Sequence, residues 1–353
     1  MSSRLRIDLG ALAANYRLLA RAARPGRCAG VVKADGYGLG AAQVARRLHA
    51  DGCRDFFVAS AREGAELRAT LADARIFVFE GVRAEDLRLL VEARLTPVLN
   101  QPLDARRWRD AGAPSAVAVH VDTGMHRLGF LPEEVTRDAL GDLEIVLLLT
   151  HLACADEPEH PLNADQLNRF AAVRQRFPAV PVSIGNSAGV LQGVARCGDL
   201  GRPGIALYGG NPFVGAVAAE LAPGLRPVAT LEGQILQLRR VAAGESVGYG
   251  AAYRAPDERR IAVVGLGYAD GLPRLLSNRG EVWVSGRRRP ILGRVSMDLT
   301  VVDVTGLDVG VGDWVEFMGA GVTVDEVAGW AETIAYEVLT GLGRRPERSY
   351  LGL

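Results

Sequence analysis

The chain has 353 residues, of which 48% are hydrophobic and 23% are charged, and its formal net charge is zero. No apolar run approaches the roughly 18 residues that would indicate a membrane-spanning helix. A neutral chain has no surplus of basic groups for a phosphate backbone, which argues against a nucleic-acid partner. The opening residues lack the features of a signal peptide, so we expect a cytoplasmic protein.

The four cysteines, Cys28, Cys53, Cys154 and Cys197, are widely spaced and form no C-x-x-C pair. This spacing suggests neither a zinc site nor a redox motif, and no other metal site is indicated. We expect reduced and mostly buried thiols. The length allows two domains, because single cores seldom grow past roughly 250 to 300 residues.

The opening residues predict a short strand followed by an amphipathic helix. Short apolar runs then alternate with segments of helical periodicity. Eight such runs occur, at residues 28–34, 56–60, 75–81, 95–100, 116–123, 144–151, 181–186 and 204–209. Runs that are apolar throughout suit parallel strands buried on both faces, which favours a closed (β/α)₈ barrel of the TIM type. An open doubly wound sheet is the alternative.

After about residue 225 the periodicity changes to two, in strands bounded by turns, as in "ATLEGQILQLRRV" and "GEVWVSG". This pattern predicts a mostly β second domain. One late helix is expected to begin after an N-cap at Thr323 and to end in glycines. The predicted domains are therefore residues 1–225 and 226–353.

Polar residues stand at the ends of several predicted barrel strands, where a barrel of this type carries its active site. Lys33 ends the first run, Arg202 precedes the eighth, and other polar residues stand at the ends of the fifth to eighth runs: His120, Asp122, Thr150, His151, Asn186, Ser187 and Tyr208. Capping and turn formation explain single cases, but five strand ends on one rim predict a functional site.

Lys33 is the only lysine in a chain whose other fixed cations are all arginines. Arginine does not lose its proton in proteins, whereas lysine does when burial or a neighbouring charge lowers its pKa from about 10.4. An amine that forms a Schiff base is chemistry that arginine cannot perform. The position of Lys33 after an apolar run therefore predicts a catalytic nucleophile rather than a surface charge.

The same stretch permits a second interpretation, because "GYGLGA" at Gly36 to Ala41 matches the dinucleotide fingerprint G-x-G-x-x-A. That fingerprint expects an acidic residue at the end of the second strand. The second run instead ends in Ala59 and Ser60. The dinucleotide interpretation is therefore the weaker one.

Segments along nearly the whole chain resemble, in order, those of the alanine racemases, the fold-type III enzymes that use pyridoxal 5′-phosphate. They are "VVKADGYGLG", "VDTGMHRLGF", "THLACADE", "IGNSAGVL", "GRPGIALYG", "SVGYGAAY", "GLGYADGLPR", "GRVSMD" and "RPERSY". The resemblance implies a (β/α)₈ barrel followed by a β domain. It also implies that Lys33 holds the cofactor as an internal aldimine.

The resemblance further assigns the residues around the cofactor. It implies phosphate contacts from five positions, with two of them acting through backbone N–H groups at the start of the eighth strand: Tyr37, Ser187, Gly204, Ile205 and Tyr350. Arg202 would face the pyridine nitrogen, where a permanent cation weakens electron withdrawal and limits side reactions. His151 would lie beside the cofactor and bond to Arg202. Without the family, Ser187 would be interpreted as a helix N-cap.

Racemisation needs one base on each face of the substrate's α carbon. The resemblance implies that Lys33 serves one face, and that Tyr249 of a partner subunit serves the other, so that a homodimer with shared active sites is expected. Arg127, Tyr268 and the N–H of Met297 would contact the substrate, and a narrow entrance would favour alanine.

One position departs from the family. Many members carry a carbamylated lysine two residues before the aspartate of "DTGM", and its anion orients the arginine. His120 stands at that position and cannot form that stable carbamate. A chloride, a nearby carboxylate or neutral His120 could replace it.

The sequence thus predicts a homodimeric alanine racemase that supplies D-alanine for cell-wall synthesis or interconverts alanine in catabolism. A racemase acting on serine or other amino acids is the alternative within enzymes. A protein that binds pyridoxal phosphate without turnover is the alternative outside them, although Tyr249, Arg127 and Tyr268 would then have no role.

Overall fold

A computed structural model describes residues 2–114, 116–213 and 218–352. The chain divides into two compact units. One comprises Leu12–Leu207 and Asn211–Leu225, and the other comprises the residues through Ala11, Tyr208–Gly210 and those from Arg226 onward. The N-terminal residues thus belong to the second unit, whereas the sequence placed them in the domain 1–225.

The first unit contains a parallel sheet whose strands follow one another in chain order. Its seven strands are Gly30–Val31, Asp55–Val58, Arg75–Val78, Thr96–Leu99, Ala116–His120, Glu144–Leu149 and Val182–Ser183. Nearly all their apolar residues are buried, as expected for strands covered on both faces. Phe57 lies at the centre, with its ring stacked on those of Phe77 and Phe79 at centroid distances of 4.6 and 5.1 Å.

The prediction of the eighth strand was wrong. Residues 204–209 form a buried 3₁₀ helix, Ile205–Tyr208, and the strand is Leu200–Gly201. It pairs in parallel with Arg27–Cys28, and Asp199 and Arg202 donate backbone bonds to Val182 and Gly185. Pro203 has no N–H to continue the strand, and a short apolar run does not distinguish strand from helix.

Helices connect these strands. The α-helices of this part of the chain are Leu9–Ala22, Ala41–Ala50, Ala61–Arg68, Leu87–Glu92, Pro102–Asp110, Arg137–Leu140, Pro161–Arg174, Ser187–Leu191, Val194–Cys197 and Ala218–Leu221. The expected opening strand and helix are confirmed as Ser3–Asp8 and Leu9–Ala22. No helix within the described ranges is long and apolar enough to cross a membrane.

The second unit is mostly β. Its strands are Ser3–Asp8, Ala229–Val241, Ser246–Val247, Tyr253–Arg254, Arg259–Val264, Glu281–Val284, Arg287–Pro290, Thr300–Asp303, Trp314–Met318 and Glu347–Leu351. Ser3–Asp8 lies between Ala229–Val241, its antiparallel partner, and Glu347–Leu351, its parallel partner. This pairing explains why the N-terminal strand belongs to this unit.

The late helix begins as predicted. The Thr323 hydroxyl accepts a bond from Glu326 N, and the Glu326 carboxylate accepts one from Thr323 N. The segment forms two helices, Val324–Trp330 and Ala335–Thr340. Between them Glu332 takes a left-handed conformation, with φ of 54°, which an α-helix cannot accommodate.

Phe57→Ala should destabilise the cofactor-free protein by about 3 to 5 kcal/mol, because it opens a cavity beneath two stacked rings. Urea unfolding measures the change. Glu66→Ala is the matched control, since among the described residues this exposed side chain pairs only with Arg62, one helical turn away, and it should change stability by less than about 0.5 kcal/mol. Equal losses in the two variants would contradict the packing assigned to Phe57.

Candidate active site

Five predicted site residues lie at the carboxyl ends of the barrel strands, or directly after them, in one structural unit. They are Lys33, His120, His151, Ser187 and Arg202. The carboxyl ends of parallel barrel strands share one rim. The positive charges of Lys33, Arg127 and Arg202 lower the pKa of His151, which agrees with this proximity.

Lys33 lies partly buried at this rim, with Nζ 5.8 Å from the centroid of the Phe79 ring. Burial lowers the pKa of its amine, and the positive charge of Arg127 lowers it further, while the Glu63 carboxylate acts in the opposite direction. A neutral amine is the nucleophilic form. The rim therefore favours the reactive state of this lysine.

Ser187, Tyr37 and Gly204 meet beside the 3₁₀ helix. The Ser187 hydroxyl accepts bonds from Gly204 N at 2.9 Å and from Ala206 N at 3.2 Å. A Cβ atom at Gly204 would lie 2.0 Å from the Tyr37 hydroxyl oxygen, so glycine is required there. Asn186, rather than Ser187, caps the following helix by accepting a bond from Gly189 N.

The amide of Ile205 points to an anion site. Ile205 is fully buried, and its N–H has no acceptor within residues 2–114, 116–213 and 218–352. A buried, unpaired donor costs free energy unless a ligand or water satisfies it. Gly204 and Ile205 were expected to begin the eighth strand, but they lie beyond its end at the start of the 3₁₀ helix.

Arg202 is buried and held by neutral acceptors. Its Nη1 donates to Ser183 Oγ at 2.6 Å and its Nη2 donates to Thr150 O at 2.7 Å. Burial lowers its pKa to about 10, so it remains a cation at neutral pH. Among the described residues no carboxylate pairs with Arg202, and the bond between His151 and Arg202 that the resemblance implied is not present there.

His120 is a neutral side chain with a fixed tautomer. Asn100 Nδ2 donates to Phe79 O and Val98 O, so its Oδ1 must accept from His120 Nδ1 at 3.0 Å. The Nε2 atom of His120 therefore carries a lone pair. Burial and the charge of Arg202 lower the pKa of His120 to about 4, and the same two causes lower that of His151 well below its ordinary value.

Arg127 lies in an exposed loop organised by Asp122. Asp122 Oδ1 accepts bonds from the amides of Gly124, Met125 and His126 at 2.9, 2.9 and 3.1 Å. Burial alone would raise the pKa of Asp122, but these three donors outweigh it and hold the pKa below its ordinary value. The loop thus keeps the Arg127 charge close enough to act on Lys33.

The remaining predicted residues belong to the second unit. Tyr249 is at the tip of the hairpin formed by Ser246–Val247 and Tyr253–Arg254, and its side chain is 71% exposed. Tyr268 and Met297 are 41% and 53% exposed on loops joined by the bond from Tyr268 N to Ser296 O. Tyr350 is half-buried in the strand Glu347–Leu351.

Two residues beside the predicted site were missed by sequence reasoning. Asn100 orients His120. It ends the fourth apolar run, so it would have been found if polar residues at the end of every run had been considered. Glu63 bonds to the amide that follows Lys33. Its signal is the Ser-x-x-Glu capping pattern that begins at Ser60.

The sequence matches the family models for the alanine racemase N-terminal domain, over residues 7–212, and C-terminal domain, over residues 228–350. It is 46% identical to an alanine racemase of Rhodospirillum rubrum, over 99% of this chain and 96% of that one. It is also 46% identical to a catabolic alanine racemase of Agrobacterium fabrum, over 99% and 92%.

Solved structures agree over the same length. The biosynthetic alanine racemase of Pseudomonas aeruginosa matches with a TM-score of 0.92 and 42% identity, covering 99% of both chains. The Bartonella henselae alanine racemase, whose structure contains covalently bound pyridoxal phosphate, matches at 0.91 and 36%, covering 99% of this chain and all of that one. Both domains of the sequence and the fold match alanine racemases. The chain therefore belongs to the alanine racemase family.

Proposed function

We propose that this chain interconverts L-alanine and D-alanine with pyridoxal 5′-phosphate, using Lys33 and Tyr249 as the two bases. The observation that carries the proposal is the single lysine, partly buried at the barrel rim with its pKa lowered by burial and by Arg127. The family membership supports the same reaction and cofactor.

The residues at the rim fit this cofactor. A phosphate would be held by three groups: the Ile205 amide, which has no acceptor among the described residues, the Ser187 hydroxyl, and the Tyr37 hydroxyl, which lies against Gly204. Backbone N–H groups and hydroxyls are good phosphate donors. We assign Tyr37, Ser187, Gly204, Ile205 and Tyr350 to the phosphate and Lys33 to the covalent bond. When bound, pyridoxal phosphate supplies an electron sink for the α carbon of an amino acid.

Arg202 and His151 suit the ring of the cofactor. Because Arg202 is buried, charged and bonded only to neutral oxygens, it disfavours a second positive charge on a nitrogen placed against it. His151 remains neutral for the same reason. A ring nitrogen that stays unprotonated withdraws electrons less strongly, and this favours return of the proton over side reactions.

The two bases must each take and return a proton. Lys33 Nζ holds the proton on one face of the α carbon, and the Tyr249 hydroxyl holds it on the other. The enantiomers have equal free energy in water, so both groups act as acid and as base. Tyr249 is exposed at a hairpin tip, where it is available to a second copy of the chain. We therefore propose a homodimer with shared sites.

Arg127, Tyr268 and Met297 N–H are assigned to the substrate, with the guanidinium meeting its carboxylate. His120 takes the place of the family's carbamylated lysine as a neutral acceptor, because its Nδ1 donates to Asn100 and leaves the Nε2 lone pair for Arg127.

The four cysteines are free thiols, which fits a reducing cytoplasm.

Lys33→Ala should abolish both racemisation and the visible absorbance of the bound cofactor, since no other lysine is present to bind it. Spectra of the purified variant, recorded with a racemisation assay on L and D amino acids, provide the measurement. Retention of the absorbance would contradict the assignment of Lys33. Faster turnover of serine than of alanine in the wild-type assay would favour the broader racemase.

Tyr249→Phe should slow α-proton removal from L-alanine far more than from D-alanine, because it removes the base from one face alone. Exchange of the α proton in deuterated water measures both directions. Tyr253→Phe is the control from the same hairpin, because Tyr253 packs against the hydrophobic cluster that includes Val241, Val247 and Ile261, and this variant should leave both rates unchanged. Equal losses with the two enantiomers would refute the assigned faces.

The neutral state of His120 should stabilise the fold in a pH-dependent way. Its pKa is about 4 when folded and about 6.5 when unfolded, so the unfolded chain binds more protons between these values. Its contribution is present above about pH 6.5 and is lost as pH falls towards 4. His120→Gln should therefore reduce the pH slope of the unfolding free energy there, by up to about 1.4 kcal/mol per pH unit.

Urea unfolding of the cofactor-free protein at several pH values measures this slope. His126→Gln is the control for the loss of one histidine, because the His126 side chain is 79% exposed and its Nδ1 lies 3.6 Å from Asp122 Oδ2, and its slope should change less than that of His120→Gln. A slope in His120→Gln that equals the wild-type slope would show that His120 is not held neutral by the fold.

A further inference from the structure

Glu63 connects two loops that follow adjacent barrel strands. Its Oε1 accepts a bond from Ala34 N at 2.8 Å, and its Oε2 accepts one from Ala59 N at 2.8 Å. Ala34 follows Lys33 directly, and Ala59 follows the strand Asp55–Val58. Glu63 is itself fixed at the start of the helix Ala61–Arg68, where its N–H donates to the Ser60 hydroxyl. Both carboxylate oxygens are thus committed to the backbone.

The amide held by Glu63 begins an unusual turn. Four consecutive residues after Lys33 have left-handed backbone angles, with φ of 53°, 52°, 63° and 56° at Ala34, Asp35, Gly36 and Tyr37. Only one of them is glycine, and the left-handed conformation costs about 1 to 2 kcal/mol for each other residue. Such a conformation persists only where its surroundings fix it.

Hydrogen bonds at both ends fix this turn. Within it, Gly38 N donates to Ala34 O and Gly40 N donates to Asp35 O, each at 2.8 Å. At its end, the Asp35 carboxylate accepts a bond from Ala41 N. At its beginning, Glu63 provides the side-chain acceptor for Ala34 N. Because Lys33 directly precedes the turn and Tyr37 is its last residue, its conformation decides where the amine and the phenol lie.

The charge of Glu63 also acts on Lys33. The charged groups that influence the amine are Arg127, which disfavours its protonated form, and Glu63, which favours it. Arg202, His120 and His151 across the rim are not anions, because Arg202 is a cation and the two histidine rings are neutral. An amine that must both take and return a proton cannot be left wholly deprotonated by its surroundings.

We propose that Glu63 is a positioning residue for Lys33, whose carboxylate anchors the left-handed turn and supplies a negative charge that offsets the cationic rim. The proposal rests on the role of Lys33 in the proposed function. Neither its structural part nor its electrostatic part requires bound cofactor, so both are testable on the cofactor-free chain.

The single lysine makes the electrostatic part directly measurable. Protein labelled with ¹³C-lysine gives one lysine side-chain signal, whose chemical shift follows the titration of Lys33. Glu63→Gln should lower the pKa of Lys33 relative to the wild type. Glu66→Gln, on the same helix, should leave the pKa of Lys33 unchanged, because the exposed Glu66 carboxylate pairs with Arg62. Identical titrations in all three proteins would overturn the electrostatic part.

Hydrogen exchange tests the anchoring part. Loss of a charge-assisted bond to Ala34 N should make the amides of residues 34–38 exchange about tenfold faster or more in Glu63→Gln, with no change in Glu66→Gln. Exchange at the wild-type rate would overturn the anchoring role.

Glu63→Asp separates the two parts and remains informative if Glu63→Gln does not fold. Its shorter side chain keeps the charge but cannot reach both amides, so we expect fast exchange of the turn with a Lys33 titration close to that of the wild type. The reverse pattern would overturn the proposal. If the wild-type protein fails to racemise alanine while the Glu63 variants show these changes, the proposed function is refuted and the positioning role of Glu63 stands.

Discussion

The barrel rim gathers more positive charge than its own carboxylates neutralise, and the chemistry depends on this imbalance. Lys33, Arg127 and Arg202 all act on His151, while Asp122 has its Oδ1 committed to three amides and Glu63 has both oxygens committed to two. The pKa values of His120 and His151 are lowered by burial and by these charges, so both rings are neutral. A rim with this surplus is complementary to anions, and the proposed reaction brings two of them, a phosphate and a substrate carboxylate.

The same imbalance explains why the rim uses two kinds of cation. Arg202 is buried and still charged, because the pKa of a guanidinium is so high that burial does not make it neutral. Lys33, in a less buried position, has its pKa lowered by burial and by Arg127. One group therefore provides a permanent charge and the other a transferable proton. Exchanging the two residues would remove both functions, although the net charge would not change.

Much of the fold followed from the sequence, because strands buried on both faces leave continuous apolar runs. The first seven runs each overlap an observed strand. The eighth run forms a 3₁₀ helix, and the strand Leu200–Gly201 was missed because two residues do not stand out beside "GIALYG". The place of Ser3–Asp8 in the second unit was not predictable either, because it depends on pairing with residues more than 200 positions away.

The candidate site was also predictable from the sequence only in part. Lys33 was identified from its residue type and its position after an apolar run, because only a lysine amine can form a Schiff base, whereas the role of Arg202 came from the family resemblance. Asn100 and Glu63 were missed because amides and carboxylates at strand ends and helix starts usually serve capping roles. Their importance comes from which atoms they contact, and only the folded chain shows that Asn100 fixes the tautomer of His120 and that Glu63 reaches the amide of Ala34.

The central claim is that the lone lysine forms the covalent bond to the cofactor. Borohydride reduction of the protein purified with pyridoxal phosphate, followed by peptide mass spectrometry, tests it most directly. We expect the pyridoxyl group on the peptide that contains Lys33, in an amount that matches the loss of racemase activity. Reduction that abolishes activity and leaves the Lys33 peptide unmodified would contradict it.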